Sequence, residues 1–190
     1  MNVKDGGVIW LTGLAGSGKS FLAEGLCERL RTRFSNVIYL DGDELRELLG
    51  HFGYDRYGRL EVSFKRSQFA RFLVNQGMIV VVSTISLFNE VYEFNRKNLK
   101  NYFEVYVKCD FNELIKRDKK ELYSKALRGE IQNVVGVDIV YDNPKAHLVI
   151  DNSTLDKKEE KVQNLYIKSL EFFKTTLHLD ESFLTRTKNN

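Results

Sequence analysis

The sequence predicts an α/β domain built on a parallel sheet, and three observations carry that prediction. The apolar run Val8, Ile9, Trp10, Leu11 leads straight into the glycine-rich stretch Gly13 to Ser20 and then into a pattern of helical spacing. Apolar runs of strand length and helical patterns then alternate along the chain, as crossover units require. Met78 to Val82 is the most apolar run present, without polar alternation, which marks a central strand covered on both faces. With 190 residues and a single proline, the chain has the length of one ordinary domain, 1–190, and no room for a long linker.

After the glycine-rich stretch, Leu22, Leu26 and Leu30 place an apolar stripe on a helix running to about Arg33. Val37 to Leu40 is a short buried strand ending in Asp41-Gly42-Asp43, and a helix from Glu44 to Leu49 follows. Gly50 to Gly58, three glycines with Tyr54, Asp55, Arg56 and Tyr57, reads as a loop. From about Leu60 to Gln76 the apolar positions Val62, Phe69, Phe72 and Leu73 fall at helical spacing, with Gly77 as the stop. Beyond the central strand come a helix from about Phe88 to Asn101, a strand over Phe103 to Val107 and a short helix near Asn112 to Lys116.

Arg117 to Asp142 changes character, with eight charged residues in its first fourteen positions and Asn133-Val134-Val135-Gly136-Val137 further on. It is predicted to be a mobile cover over a site; composition leaves open a solvated charged helix and loop. Leu148 to Ile150 supplies the last strand. Val162, Leu165, Tyr166, Leu170, Phe173 and Leu177 then form the core face of a closing helix over about 157–178, and Thr185 to Asn190 reads as a frayed tail.

The first chemistry is read from Gly13-Leu14-Ala15-Gly16-Ser17-Gly18-Lys19-Ser20, which fits Gly-x-x-x-x-Gly-Lys-[Ser/Thr] in the strand-loop-helix setting that a phosphate-cradling loop requires. Its glycines let the backbone curl so that consecutive N–H groups meet phosphate oxygens, and the N-terminus of the following helix adds its positive end. Lys19 supplies a point charge for the β and γ phosphates, and the Ser20 hydroxyl is placed to ligate Mg²⁺. All eight residues are assigned to cofactor binding, with ATP or GTP as the nucleotide. No guanine-reading Asn-Lys-x-Asp occurs, which disfavours a GTPase switch.

Asp41 and Asp43 stand at the carboxyl end of the second strand, where ligands bind in open parallel sheets. One carboxylate is expected to hold Mg²⁺ and the other to accept the proton of an attacking hydroxyl. Capping of the helix at Glu44 is the alternative, which Asp43 alone would satisfy. Arg46, Arg56, Arg59, Arg117 and Lys125 are the basic residues expected near phosphates, because guanidinium groups match charge spread over phosphoryl oxygens.

Bulk properties narrow the partners. A net charge of +3, from 29 basic and 26 acidic residues, is too balanced to indicate nucleic acid. Cys27 and Cys109 are too few, and too far from metal-type spacing, to suggest zinc or a disulfide framework, and both are expected as free thiols. No apolar run approaches membrane-spanning length and Met1 to Gly7 lacks signal-peptide character, so a cytoplasmic protein without membrane partners is expected.

From about Val8 to Asn152 the chain resembles the adenylylsulfate kinase family, P-loop kinases that transfer the γ-phosphate of ATP to the 3′-hydroxyl of adenosine 5′-phosphosulfate. The resemblance rests on the phosphate loop, on Leu40-Asp41-Gly42-Asp43 with Arg46, and on Gly77-Met78-Ile79-Val80 and Ser83-Thr84-Ile85-Ser86. It continues through Arg117-Asp118, Leu122-Tyr123, Lys125-Ala126, Gly129-Glu130-Ile131 and Gly136-Val137-Asp138. It implies a five-stranded parallel sheet flanked by helices, a lid over about 117–142, and a homodimer. It also implies ATP and Mg²⁺ as cofactors, with Arg117 beside the nucleotide. Lys19, Asp41 and Asp43 become catalytic, and Ser20 and Asp41 hold the metal. Arg46, Tyr54, Arg59, Ser83, Ile85, Lys125, Val134 and Gly136 fall on the substrate side.

The departures from the family pattern all lie on that acceptor side. An ungapped match from Gly53 to Gly77 puts Arg59 on the family's substrate-binding arginine, whereas a shift of three would put Arg56 there. Val62 replaces an asparagine, Asn89 replaces an arginine, and Val134 stands where the second of two stacking aromatics would be, Tyr54 matching the first. Ser86 matches a serine phosphorylated in some members and is given no catalytic role. The resemblance therefore implies 3′-hydroxyl phosphorylation of a 5′-modified nucleotide, with adenosine 5′-phosphosulfate as the first reading. The second is cytidine diphosphoramidate, the substrate of a related kinase found with capsule-modification enzymes. A non-catalytic nucleotide-binding regulator is disfavoured by retention of Lys19, Ser20, Asp41 and Asp43.

Overall fold

The computed structural model describes residues 6–50, 52–118 and 121–176. Five parallel strands, β1 (Gly7–Thr12), β2 (Val37–Asp41), β3 (Ile79–Thr84), β4 (Tyr102–Lys108) and β5 (Leu148–Asp151), form one sheet in the order β2-β3-β1-β4-β5. The expected five-stranded parallel sheet is therefore present. β1 and β3 are buried along their whole length, as their unbroken apolar runs require of strands covered on both faces.

Side chains alternate across the sheet and divide the interior in two. Ile9, Leu11, Val81 and Val105 face one layer, formed by α1 (Lys19–Arg31) and α7 (Lys158–Thr176). Val8, Trp10, Val80 and Val82 face the other, where α3 (Arg56–Asn75) and α4 (Asn89–Asn98) pack. The shorter helices α2 (Gly42–Leu49), α5 (Phe111–Arg117) and α6 (Leu122–Leu127) lie in the connections. Strand pairing sets Thr12 beside Thr84 and Asp41 beside Ser83. The ends of β1, β2 and β3 thus meet at one edge.

Several expected boundaries are corrected. α3 begins at Arg56, inside the stretch read as a loop, because the Asp55 carboxylate accepts from the Gly58 amide at 2.8 Å and caps the helix. Gly58 is a helical residue at a close approach that leaves no room for a side chain: a Cβ on it would lie 2.3 Å from the Gly53 carbonyl oxygen. α3 also buries a different stripe. Val62, Ser63, Arg66, Ser67, Ala70 and Val74 face inward, whereas Phe72 is 59% exposed. α2 starts at Gly42 rather than Glu44, and its cap is Asp41 rather than Asp43. α4 ends at Asn98, three residues before the expected stop.

The segment 117–142 is neither a plain loop nor wholly solvated. Tyr123, Val134, Val135 and Ile139 join the core on the α3 side, while Lys125, Arg128 and Glu130 carry the exposed charge. The Asp142 amide donates to the Leu87 carbonyl at 2.9 Å and closes the segment against the end of β3. Leu177 and the expected tail from Thr185 to Asn190 lie outside the described residues. No helix among the described residues is long and apolar enough to cross a membrane.

Candidate active site

The phosphate loop joins β1 to α1 and is held from outside by three elements. The Ala15 carbonyl accepts from the Tyr123 hydroxyl at 2.9 Å, the Gly16 carbonyl from Arg117 Nη1 at 3.4 Å, and the Ser17 carbonyl from Asn152 Nδ2 at 2.7 Å. Arg117 ties the anchors together, its Nη2 donating to the Asn152 and Ser153 carbonyls at 2.8 and 3.1 Å. Asn152 is itself fixed, its Oδ1 accepting from Lys161 Nζ at 3.1 Å. Sequence reasoning placed Arg117 near the nucleotide but missed Asn152 and Tyr123. The signals for Tyr123 were an aromatic inside a charged segment and its place in the Leu122-Tyr123 pair of the family resemblance; Asn152 offered none.

Inside the loop, Lys19 Nζ donates to the Leu14 carbonyl at 2.8 Å. Lys19 is 8% exposed, and burial lowers the pKa of its ammonium to about 8 against the opposing pull of Asp43 and Asp41. A charge kept poorly solvated beside open backbone amides is suited to polyphosphate, which restores the interactions that water would give it.

Asp41 is the best-connected carboxylate at this edge. Its Oδ2 accepts from the Tyr39 hydroxyl at 2.9 Å, Ser83 Oγ at 3.1 Å and Ser20 Oγ at 3.2 Å. Its Oδ1 caps α2 through the amides of Asp43 at 2.8 Å and Glu44 at 3.4 Å. Burial alone would raise its pKa, but the bonds from Asp43, Tyr39, Ser83 and Glu44 outweigh burial and hold it below the ordinary value. Tyr39, another residue the sequence did not single out, is kept protonated by burial and so remains a donor.

Asp43 differs: it sits exposed in the first turn of α2, and no hydrogen bond among the described residues reaches its carboxylate. Two carboxylates that both sat at the strand end in the sequence thus have distinct environments, one engaged and one open. Ser20 Oγ and Asp41 Oδ2 are hard oxygen donors that fit a divalent cation sharing phosphate oxygens. No group of three or more His, Cys, Asp or Glu residues gathers as a metal cage among the described residues.

A second cluster adjoins the first. The Arg46 guanidinium lies 4.2 Å from the Tyr54 ring centroid and donates to the Phe52 and Gly53 carbonyls at 2.8 and 2.6 Å. Arg59 lies 5.6 Å from the same ring and donates to the carbonyls of Tyr54 at 2.6 Å and Asn133 at 2.7 Å. Burial and the neighbouring Arg46 lower the Arg59 pKa, the mark of positive charge gathered without full neutralisation. Tyr54 itself is 61% exposed. Arg56 points elsewhere, to Glu90 at 2.7 Å and over the Phe88 ring. The structure accordingly groups Arg59, and not Arg56, with Arg46 and Tyr54.

The remaining expected residues divide. Ser83 is in the Asp41 cluster, and Ile85 follows it at the end of β3, half-buried against the core. Gly136 lies against the phosphate loop, where a Cβ would stand 3.2 Å from Leu14 Cδ2. Lys125 is turned to Glu121 at 2.8 Å on exposed α6, away from either cluster's hydrogen bonds. Val134 is 4% exposed and packed in the core, its amide held by Asp138, and Val62 is 2% exposed on α3. Neither valine presents an open face.

Comparison with known proteins shows which chains this one is similar to. Residues 5–151 match the family model described as adenylylsulphate kinase. The chain is 60% identical over 163 residues to a cytidine diphosphoramidate kinase of Campylobacter jejuni, covering 86% of this chain and 95% of that protein. It is 40% identical over 159 residues to an adenylyl-sulfate kinase of Bacillus pumilus, covering 82% and 81%. The structure of Mycobacterium tuberculosis APS kinase CysC in complex with AMPPNP and APS superposes with a TM-score of 0.78 at 33% identity, covering 88% of this chain and 98% of that one.

Proposed function

Since the chain belongs to the adenylylsulphate kinase family, whose members are kinases with ATP as phosphate donor, we propose that it phosphorylates the 3′-hydroxyl of cytidine diphosphoramidate. The observation that carries this choice is the 60% identity over 163 residues to a cytidine diphosphoramidate kinase, against 40% over 159 residues to an adenylyl-sulfate kinase. It reverses the order in which the sequence ranks the two acceptors.

The acceptor side supports the same reading. Tyr54 offers one exposed ring, already flanked by Arg46, and Val134, at the position the family resemblance gives to a second stacking aromatic, is a buried aliphatic residue. A single platform suits a pyrimidine, which has less surface to stack than a purine. Arg46 and Arg59 supply the positive charge for the diphosphoramidate end.

In this reading the phosphate loop and Lys19 hold the ATP phosphates, and Ser20 with Asp41 would hold Mg²⁺, which would supply charge neutralisation to the polyphosphate. Asp43, free of other bonds, accepts the proton of the attacking hydroxyl. The segment 117–142 closes over the site and excludes water that would otherwise hydrolyse ATP. A homodimer in the cytoplasm belongs to the same proposal, checked by light scattering of the purified protein.

ADP release with Mg-ATP, measured against cytidine diphosphoramidate, adenosine 5′-phosphosulfate and no acceptor, tests the assignment. Preferred turnover of the first is expected. Preferred turnover of the second restores the other acceptor, and turnover of neither removes both.

A further inference from the structure

One buried charge has no part in the reaction just described. Arg66 lies on α3 with 3% of its surface exposed, and no carboxylate among the described residues stands within ion-pair distance of it. Burial, with the like charge of Arg46, lowers its pKa to about 10, and only the more distant Asp43 and Asp41 pull the other way. Burying a guanidinium without a carboxylate partner is unfavourable, and an apolar side chain would avoid that cost. The bonds it makes indicate what offsets it.

Arg66 Nη1 donates to Thr84 Oγ1 at 2.7 Å, and Nη2 donates to the Gly42 carbonyl at 2.9 Å. The Thr84 and Ser86 hydroxyls meet at 3.2 Å, Ser86 meets Ser63 at 2.8 Å, and Ser63 Oγ donates to the Arg59 carbonyl at 2.7 Å. A chain of hydrogen bonds through buried side chains therefore runs from the backbone of Arg59 to the backbone of Gly42.

Gly42 is the residue between the two carboxylates. A Cβ there would lie 2.7 Å from the Ser83 carbonyl oxygen and 3.2 Å from both Thr84 Cα and Oγ1, so the turn is pressed flat on the end of β3. Thr84 touches the turn directly, and Arg66 bridges Thr84 to its carbonyl. Asp41 is located by five hydrogen bonds of its own, whereas the Asp43 carboxylate has none among the described residues, and its place is set by the backbone of this turn.

We propose that Arg66, bridged by Thr84, is a positioning residue for phosphoryl transfer: it fixes the Gly42 peptide, and through it Asp43, in register with the acceptor anchor Arg59. The inference rests on the phosphotransferase reading above and adds to it a residue that touches neither nucleotide nor acceptor. Misplacement of a reacting group by about 1 Å can cost on the order of a hundredfold in rate, so the effect belongs in kcat.

The test uses the full chain with whichever of the two acceptors the wild type turns over. Thr84→Val, which removes only the hydroxyl, is expected to lower kcat about tenfold or more with the acceptor KM within about threefold, and Thr84→Ser to restore it. Arg66→Met is expected to lose more than Arg66→Lys, which keeps a donor but cannot span both acceptors. Alongside, ¹⁵N relaxation of the nucleotide-free protein is expected to show reduced order at the Gly42 and Asp43 amides in Thr84→Val. A kcat within twofold of wild type in Thr84→Val overturns the proposal, as does a rise in KM at unchanged kcat. If the wild type turns over neither acceptor, the acceptor reading falls while the relaxation data still judge the strut, and unchanged order at residues 42 and 43 then overturns it.

Discussion

Lys19 donates its ammonium to the carbonyl of Leu14, 2.8 Å away and five residues back, so the side chain that is to meet phosphate already closes the loop around its own place. Lys19→Met is expected to reduce turnover about a thousandfold, the scale of losing a buried charge aimed at developing phosphoryl charge. Nucleotide titration by calorimetry, with a thermal melt to verify folding, separates lost binding from lost chemistry. Turnover within tenfold of wild type would contradict the role.

The outer anchors of the loop should be felt at the ATP side alone. Asn152→Ala leaves the buried Ser17 carbonyl without its donor, which costs about 1–3 kcal/mol. The expected result is a KM for ATP raised about tenfold with the acceptor KM unchanged. Tyr123→Phe, which removes only the bond to Ala15, should act in the same direction and less strongly. Initial-rate kinetics with each substrate varied in turn measure both.

The two carboxylates should separate by mutation. Asparagine caps helices as well as aspartate does, so Asp41→Asn is expected to keep the fold and lose turnover by about a hundredfold with weaker dependence on Mg²⁺. Asp43→Asn should lose about as much turnover while binding Mg-ATP normally, as removal of a proton acceptor would. Mg²⁺ titrations of rate in the two variants distinguish them. Phosphoryl transfer unaltered in Asp41→Asn would undo the assignment of that carboxylate.

Val134→Phe is expected to destabilise rather than to rebuild a base sandwich. Position 134 is 4% exposed and its amide is bound by Asp138, so the larger ring overpacks the core. Such insertions cost about 1–3 kcal/mol, roughly 2–4 °C of melting temperature per kcal/mol at this size. Differential scanning fluorimetry reads the loss, and an unchanged melting temperature would show that the site is roomier than described.

His147 makes stability depend on pH. Its Nδ1 accepts from the Glu104 amide at 3.0 Å, and burial followed by the charge of Arg96 lowers its pKa below 6.5. A histidine depressed in the folded state leaves stability intact above the unfolded value of 6.5, and stability falls as pH drops through it, because the unfolded chain takes the proton first. Because His147 is only partly withdrawn from solvent, the effect is small. Melting curves at pH 7.5 and 5.5 are expected to differ less for His147→Gln, whose side chain can accept the same bond without titrating.

What could be read before any coordinates was local. The phosphate loop declares itself by spacing within eight residues, and β1 and β3 by apolar runs that need no partner to be recognised. The inward face of α3 was misread for the opposite reason. Ser63, Arg66 and Ser67 are polar yet buried, and the groups that satisfy Arg66 lie 18 to 24 residues away in sequence at Thr84, Ser86 and Gly42. Hydropathy then selects Phe72, which the fold leaves in solvent. Tyr39 and Asn152 were invisible for the same reason, since each gains its meaning from a bond across the sheet edge. Asp41 was found but its capping role went to its neighbour, because a helix that starts two residues early changes which side chain stands at the N-cap.

The three carbonyls of Ala15, Gly16 and Ser17 are tethered by Tyr123, Arg117 and Asn152, and two of those tethers belong to the beginning of the charged segment 117–142. Any swing of that segment away from the sheet must break bonds to the phosphate loop itself. On the lid reading proposed above, nucleotide grip and gate share a single hinge energy, so a ligand that stiffens the loop tightens the latch, and by reciprocity a latched gate raises affinity for the nucleotide by the same factor.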